Sequence, residues 1–141
     1  MSSVANAREA AFRALFQLDF TQADSEEKDL YESISIDNAL EDFDKLSAKH
    51  LQFVEDRVKG TRLHLAEIDE LIQKNLRKGW TLKRLATADR NILRLAVYEI
   101  KFAEDRLEKG IAISEALRLA KKYSADNSRG FVNGILEAIT K

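Results

Sequence analysis

The sequence predicts an all-α fold. Apolar residues recur at three- and four-residue steps almost from end to end, the mark of amphipathic helices. No alternating apolar–polar segment competes, because 111–113 is too short for a strand. A length of 141 residues suits one domain over 1–141. By surface scaling, about two-thirds of such a chain's surface is buried on folding, enough for a core without staples.

The first helix is expected over 5–20, with Phe12, Leu15, Phe16 and Phe20 along one side. An acidic stretch comes next, opened by Asp24 and Ser25 as caps, with Leu30, Ile34, Leu40, Phe43 and Leu46 as its apolar stripe. Ser33, Ser35 and Asn38 interrupt it, giving two short helices or a helix and a loop. From 51 the seam Leu51, Val54, Val58, Thr61, Leu65, Ile68 and Ile72 resembles a coiled coil. It is only about three heptads long. Gly60 also weakens its middle by about 1 kcal/mol relative to alanine. A long bent helix or two helices within a bundle is therefore expected, closed by Gly79 as a C-terminal cap.

Thr81 and Asp89 are candidate caps for the next helix. Over 89–102, Leu93, Ala96, Val97 and Ile100 form an apolar face that Ile92 and Leu95 widen, so a central, largely buried helix is expected. Gly110 marks the next connection, and Ser114 caps a helix with Ala116, Leu117, Ala120 and Tyr123 inward. After a polar turn, 124–128, the last helix buries Val132, Ile135, Leu136 and Ile139. Gly130 and Gly134 form a GxxxG read as close packing.

Composition removes several functions. There is no cysteine, so disulfides, thiolate metal sites and cysteine nucleophiles are excluded. Two distant histidines, His50 and His64, cannot build a histidine-rich metal cage. No apolar run reaches the ~18 residues of a membrane span, and the N-terminus lacks an apolar signal core. A cytoplasmic protein is expected, without membrane contact. The five glycines are scattered, which rules out a phosphate-cradling loop. Ser47 lies three residues before His50 without completing a nucleophilic site, and Glu67, Asp69 and Glu70 read as a solvated helix face. No catalysis, metal or cofactor is expected.

The net charge of −1 conceals an asymmetry. Between Asp24 and Asp44 stand nine acids and one base, a local charge of −8, and the rest of the chain carries +7. A local field of this kind can steer an anionic partner to one face. Lys83, Arg84, Arg90, Arg94 and Lys101 surround the central helix, and Arg118, Lys121 and Lys122 share the outer face of the next. Arg129 and Phe131 lie just beyond, across a tight turn. Cations for phosphates beside aromatic faces for splayed bases are how single-stranded RNA is held. A charged, solvated helical surface shows such patches as well.

The motif ADRNILRLAVYE at 88–99 and ISEALRLAKKYSADNSRGFVNGIL at 113–136 resemble the NusB family of bacterial transcription antitermination factors. Arg8 with Ala14, Leu15 and Phe16, and 68–76 before Trp80, add to the likeness, which is weakest over 24–50. The resemblance implies an all-helical fold of two small bundles packed as one domain. It also implies binding of boxA-type single-stranded RNA in ribosomal RNA leader transcripts together with NusE, a small-subunit ribosomal protein, within an antitermination complex on RNA polymerase. Carried over by position, Arg8 and Phe16 belong to an RNA-facing first helix, and Ser128, Arg129 and Phe131 to a second RNA contact. Arg94, Lys121 and Lys122 complete the expected RNA set, and Lys83, Asp89 and Arg90 the NusE edge. Asn127 stands where an aspartate is common, and Glu108 where a proline is usual.

One departure counts against autonomous RNA binding. Family members often begin with an arginine-rich tract, whereas residues 1–7 here hold no Lys or Arg. Each missing phosphate partner lowers the salt slope by about 0.7 for a single strand, so RNA binding is expected to depend on NusE. The alternative is a NusB-like helical scaffold or homodimer with little RNA affinity of its own. A methyltransferase extension, which some NusB-like domains precede, has no cofactor-binding half in this sequence.

Overall fold

The computed structural model describes residues 3–22 and 25–141, so Asp24 as a cap lies outside the described residues. Seven α-helices and no strand occur among them: α1 (Ser3–Leu18), α2 (Lys28–Leu40), α3 (Ala48–Leu63), α4 (Leu65–Lys74), α5 (Thr87–Lys101), α6 (Lys109–Tyr123) and α7 (Ser128–Ile139). A 3₁₀ turn, Leu82–Arg84, sits between α4 and α5. The chain divides into two compact units, Met1–Leu63 and His64–Lys141.

In the first unit α1 packs against both α2 and α3. Its core side, Ala7, Ala11, Phe12, Ala14, Leu15 and Leu18, is fully or nearly fully buried. The aromatic row does not stay inside. Phe12 is buried, Phe16 is 37% exposed and Phe20 75% exposed, with edge-on ring contacts of 6.2 and 6.3 Å along the row. The acidic stretch differs from expectation in two ways. α2 runs unbroken through Ser33, Ser35 and Asn38, and Leu30 and Ile34 point outward. Its inner face is Glu32, Ser35, Ile36 and Ala39. Small residues admit α1 closely, and the Glu32 carboxylate is drawn inside by Arg62.

That arginine organises the unit. Arg62 Nε donates to Glu32 Oε2 at 3.0 Å, Nη1 to the Leu18 carbonyl at 3.1 Å, and Nη2 to Thr21 Oγ1 at 3.1 Å and the Gln22 carbonyl at 3.3 Å. One side chain thereby joins the end of α1, the turn beyond it and α2 to α3. Arg57, 2% exposed, lies 4.0 Å from the centre of the Phe53 ring and pairs with Asp56.

The long seam divides, but at His64 and not at Gly60, which stays helical within α3. Packing of α3 on α1 and α2 offsets the glycine's propensity cost, about 1 kcal/mol. His64 stacks on Phe102 with ring centres 4.7 Å apart, and Ser47 Oγ accepts from the His50 amide as a helix cap. These contacts account for both histidines structurally.

In the second unit α5 is central, as its wide apolar arc predicts. Nine consecutive residues, Asn91 to Glu99, are buried, and α4, α6 and α7 pack around them. Thr81 makes no side-chain cap, and the helix begins at Thr87 with Asp89 inside its first turn. Ser114 is not a cap either: α6 starts five residues earlier, and Gly110 belongs to its first turn. The Glu108 carboxylate accepts from the amides of Gly110 (2.9 Å) and Ile111 (3.4 Å), satisfying two of the helix's orphan donors. Glu108→Ala is expected to cost about 1 kcal/mol, read as a lower urea midpoint at unchanged slope. The last helix buries Val132, Ile135, Leu136 and Ile139 as predicted.

Candidate nucleic-acid interface

The expected cations separate into surface and interior. Lys121 and Lys122 are exposed at the end of α6, where positive charge also complements the helix dipole. Lys122 Nζ lies 5.5 Å from the Tyr123 ring centre. After the turn at 124–127, Arg129 is exposed in the first turn of α7, and Phe131 beside it is half-buried. Asn127 makes no side-chain cap, and the first amide of α7, that of Ser128, donates to the Ala125 carbonyl at 2.9 Å, so the positive end of the helix dipole faces this turn. Two lysines, an arginine, a half-open ring and a helix N-terminus thus meet around one turn. Such a surface suits a phosphodiester backbone with unstacked bases.

Arg94 is placed differently. It is 9% exposed, and its Nε and Nη2 grip both oxygens of Asp69 at 2.8 and 2.9 Å. This paired geometry ties α5 to α4. Arg90 is half-buried and its Nη1 donates to the carbonyls of Leu82 (3.0 Å), Leu85 (2.9 Å) and Lys83 (3.5 Å), holding the loop before α5. Lys83 itself is exposed on that loop. Asp89 is 8% exposed, and its Oδ2 accepts from Ser128 Oγ at 3.0 Å, joining α5 to the start of α7. In the first unit Arg8 is 5% exposed, 5.2 Å from the centre of the Phe53 ring, while Phe16 on the same helix stays accessible. Lys121 and Lys122 therefore flank the turn from the end of α6, and Ser128, Arg129 and Phe131 from the start of α7, with Ser128 bonded to Asp89.

A cleft of about 660 Å³ opens beside this turn, lined by the loop after α4, the start of α5 and one side of α7. Phe131, Asp89, Asn127 and Ser128 contribute to it together with Arg84, one of the cations the sequence places around the central helix, and Trp80, to which the sequence assigns no role. Arg84 lies 5.2 Å from the centre of the Trp80 ring and donates to the Gly79 carbonyl. Gln73 holds this loop by both ends of its amide: Nε2 donates to the Trp80 carbonyl and Oε1 accepts from the Leu82 amide, each at 2.9 Å. Gly79, at φ +89°, makes the bend that L side chains rarely adopt, in the loop and not as the cap of α4. The GxxxG reading also changes. A Cβ at Gly130 or Gly134 would meet nothing within 4 Å, so these glycines border open space and not a packed neighbour.

Among the described residues no group of three or more His, Asp or Glu side chains could hold a metal, and no helix is long and apolar enough to cross a membrane. The described residues define an all-α protein in which exposed cations and a half-buried aromatic ring flank the turn at 124–127. A model of the NusB family matches residues 5–141, and the chain belongs to that family. A transcription antitermination protein NusB from Pediococcus pentosaceus is 43% identical over 95% of this chain and 94% of its own. The NusB of Syntrophomonas wolfei is 42% identical over 94% and 92%. A solved T. maritima NusB superposes with TM-score 0.81 at 34% identity, covering 96% of this chain and 89% of that one. A crystal structure of antitermination factors NusB and NusE in complex with dsRNA gives TM-score 0.79 at 27% identity over 99% and 96%.

Proposed function

We propose that this protein is an RNA- and protein-binding transcription antitermination factor. It recognises boxA-type RNA in ribosomal RNA leader transcripts together with NusE and joins the antitermination complex on RNA polymerase in the cytoplasm. Its role is binding, without a reaction. The observation that carries this reading is the convergence of Lys121, Lys122, Arg129 and the half-open Phe131 around the positive end of α7, in a chain similar over nearly its whole length to a NusB solved with NusE and RNA.

Of the RNA-facing set, Lys121, Lys122, Arg129 and Phe131 act directly. Ser128 acts through its bond to Asp89, which orients the turn. Arg94, held by Asp69, keeps α5 in place beneath the surface. In the first unit Phe16 offers a ring face, and Arg8 supports the helix from its place by Phe53. Toward NusE, exposed Lys83 meets the partner, while Arg90 and Asp89 shape that edge from behind.

Titration of boxA-type RNA with and without NusE tests the proposal. Weak binding alone and tighter binding with NusE are expected, and binding in neither condition would favour a helical scaffold or homodimer. Affinity should fall with salt, and the log–log slope should shrink by roughly 1.4 in the Lys121→Ala/Arg129→Ala double variant, about 0.7 for each cation removed. An unchanged slope removes this turn from the RNA site.

A further inference from the structure

The cleft beside α7 has three features that packing does not explain. First, Asp89 Oδ1 is shielded from solvent and has no hydrogen-bond partner, although Oδ2 is held by Ser128. An unpaired buried acceptor is costly, and a charged one more so, unless a donor reaches it. Second, Gly130 and Gly134 lie on the cleft side of α7 with nothing within 4 Å of an added Cβ. Glycine inside a helix lowers its propensity, and no close neighbour demands it here. The two positions provide an uncluttered floor. Third, the walls carry two aromatic rings, Trp80 at 44% exposure and the half-buried Phe131, with Arg77 and Arg84 at the rim.

Resting on the RNA-binding reading, we infer that this cleft is a subsite for one nucleobase turned out of the RNA, and that it prefers guanine. A flat floor between aromatic side chains admits the face of a base, which gains stacking energy from either ring. The rim arginines meet the flanking phosphates. Selection comes from Asp89. A carboxylate oxygen takes N–H donors and repels carbonyl oxygens and ring-nitrogen lone pairs. Guanine is the base whose pairing edge presents two adjacent donors, N1–H and the 2-amino group. Adenine and cytosine each set a donor beside an acceptor, and uracil flanks its one donor with two carbonyls. Reaching Oδ1 requires a small displacement of the Asn127–Ser128 turn, which the base's entry would supply. The Trp80 wall needs no such adjustment, since Gln73 and Gly79 already fix its loop.

Trp80 is the chain's single tryptophan, so its fluorescence reports on this cleft alone. The full chain is titrated with short single-stranded RNAs that are identical except at one position, which carries guanosine, adenosine or uridine. Anisotropy of the labelled RNA is measured in parallel. Quenching of Trp80 is expected with all three RNAs in the order of their affinity, strongest for guanosine. Asp89→Asn should reduce the guanosine preference about tenfold, within the range for loss of a good base-edge contact. Gly134→Leu fills the floor with a better helix former, so it should leave Tm unchanged or higher while weakening binding about 5- to 150-fold, the range for one stacked base. RNA binding without a change in Trp80 fluorescence, or normal binding by Gly134→Leu, overturns the subsite and leaves the RNA-binding reading intact. The titrations are run with and without NusE, and absence of RNA binding by anisotropy in both conditions overturns both.

Discussion

Arg62→Ala is expected to destabilise the protein by about 3–5 kcal/mol, the cost of breaking a buried ion pair by removing one partner. The reason is geometric. Arg62 and Glu32 are 7% and 4% exposed, and the guanidinium also satisfies the carbonyls of Leu18 and Gln22 and the hydroxyl of Thr21. Truncation leaves a buried carboxylate without its cation and frees the turn after α1. In a chain of this length the loss corresponds to a fall in Tm of roughly 10–20 °C. Arg13→Ala is the control, because its pair with Asp42 is exposed and worth below about 1 kcal/mol. Replacing both partners by apolar residues, Arg62→Met with Glu32→Leu, should recover much of the stability, since such isosteric replacement of a buried pair is often neutral. An Arg62→Ala protein that melts with the parent would show the node to be dispensable.

Phe131→Ala should weaken RNA binding about 5- to 150-fold, the loss of one base stacked on an aromatic ring. The half-buried ring lies about 100° around α7 from the fully buried Val132. Its removal should therefore cost less stability than the about 3–5 kcal/mol of a fully buried phenylalanine. RNA anisotropy and thermal melting on the same variant separate the two effects. A variant that melts far earlier yet binds RNA normally below its Tm would assign the ring to the core.

The two variants also mark how far the sequence can be read. Phe131, Arg129, Lys121 and Lys122 are legible because exposed cations and a ring at the margin of an apolar stripe come from helical spacing alone. Arg62 and Glu32 are not, being thirty positions apart in separate helices, with nothing local in either one's neighbours to announce the bond. The consequence reaches secondary structure. With Glu32 assigned to solvent, the stripe of α2 is phased on Leu30 and Ile34, which the fold leaves 57% and 48% exposed. Likewise Arg94 reads as a surface cation until Asp69, on another helix, takes its Nε and Nη2.

The cleft is illegible for the same reason. Trp80, Arg84, Asp89 and Phe131 come from the loop after α4, the helix α5 and the start of α7, and their adjacency is a property of helix packing. A signal is present in Gly79 before the lone tryptophan and in the GxxxG of 130–134, but spacing cannot tell a glycine that admits a neighbouring helix from one that borders open space. For Gly134 only the packed helices distinguish the two.

By itself the sequence determined that the regular structure of the described residues is α-helical, that α5 is largely buried and that α7 turns Val132, Ile135, Leu136 and Ile139 inward. It also determined that cations gather around the turn at 124–128. All of these rest on the 3.6-residue period, which repeats along the chain and is local. Only the tertiary structure decided which charges are solvated. Arg129 and Lys121 face water, whereas Arg62 and Arg94 are inside, because a buried charge is stable only where another segment brings its counter-charge or its carbonyl acceptors within about 3 Å.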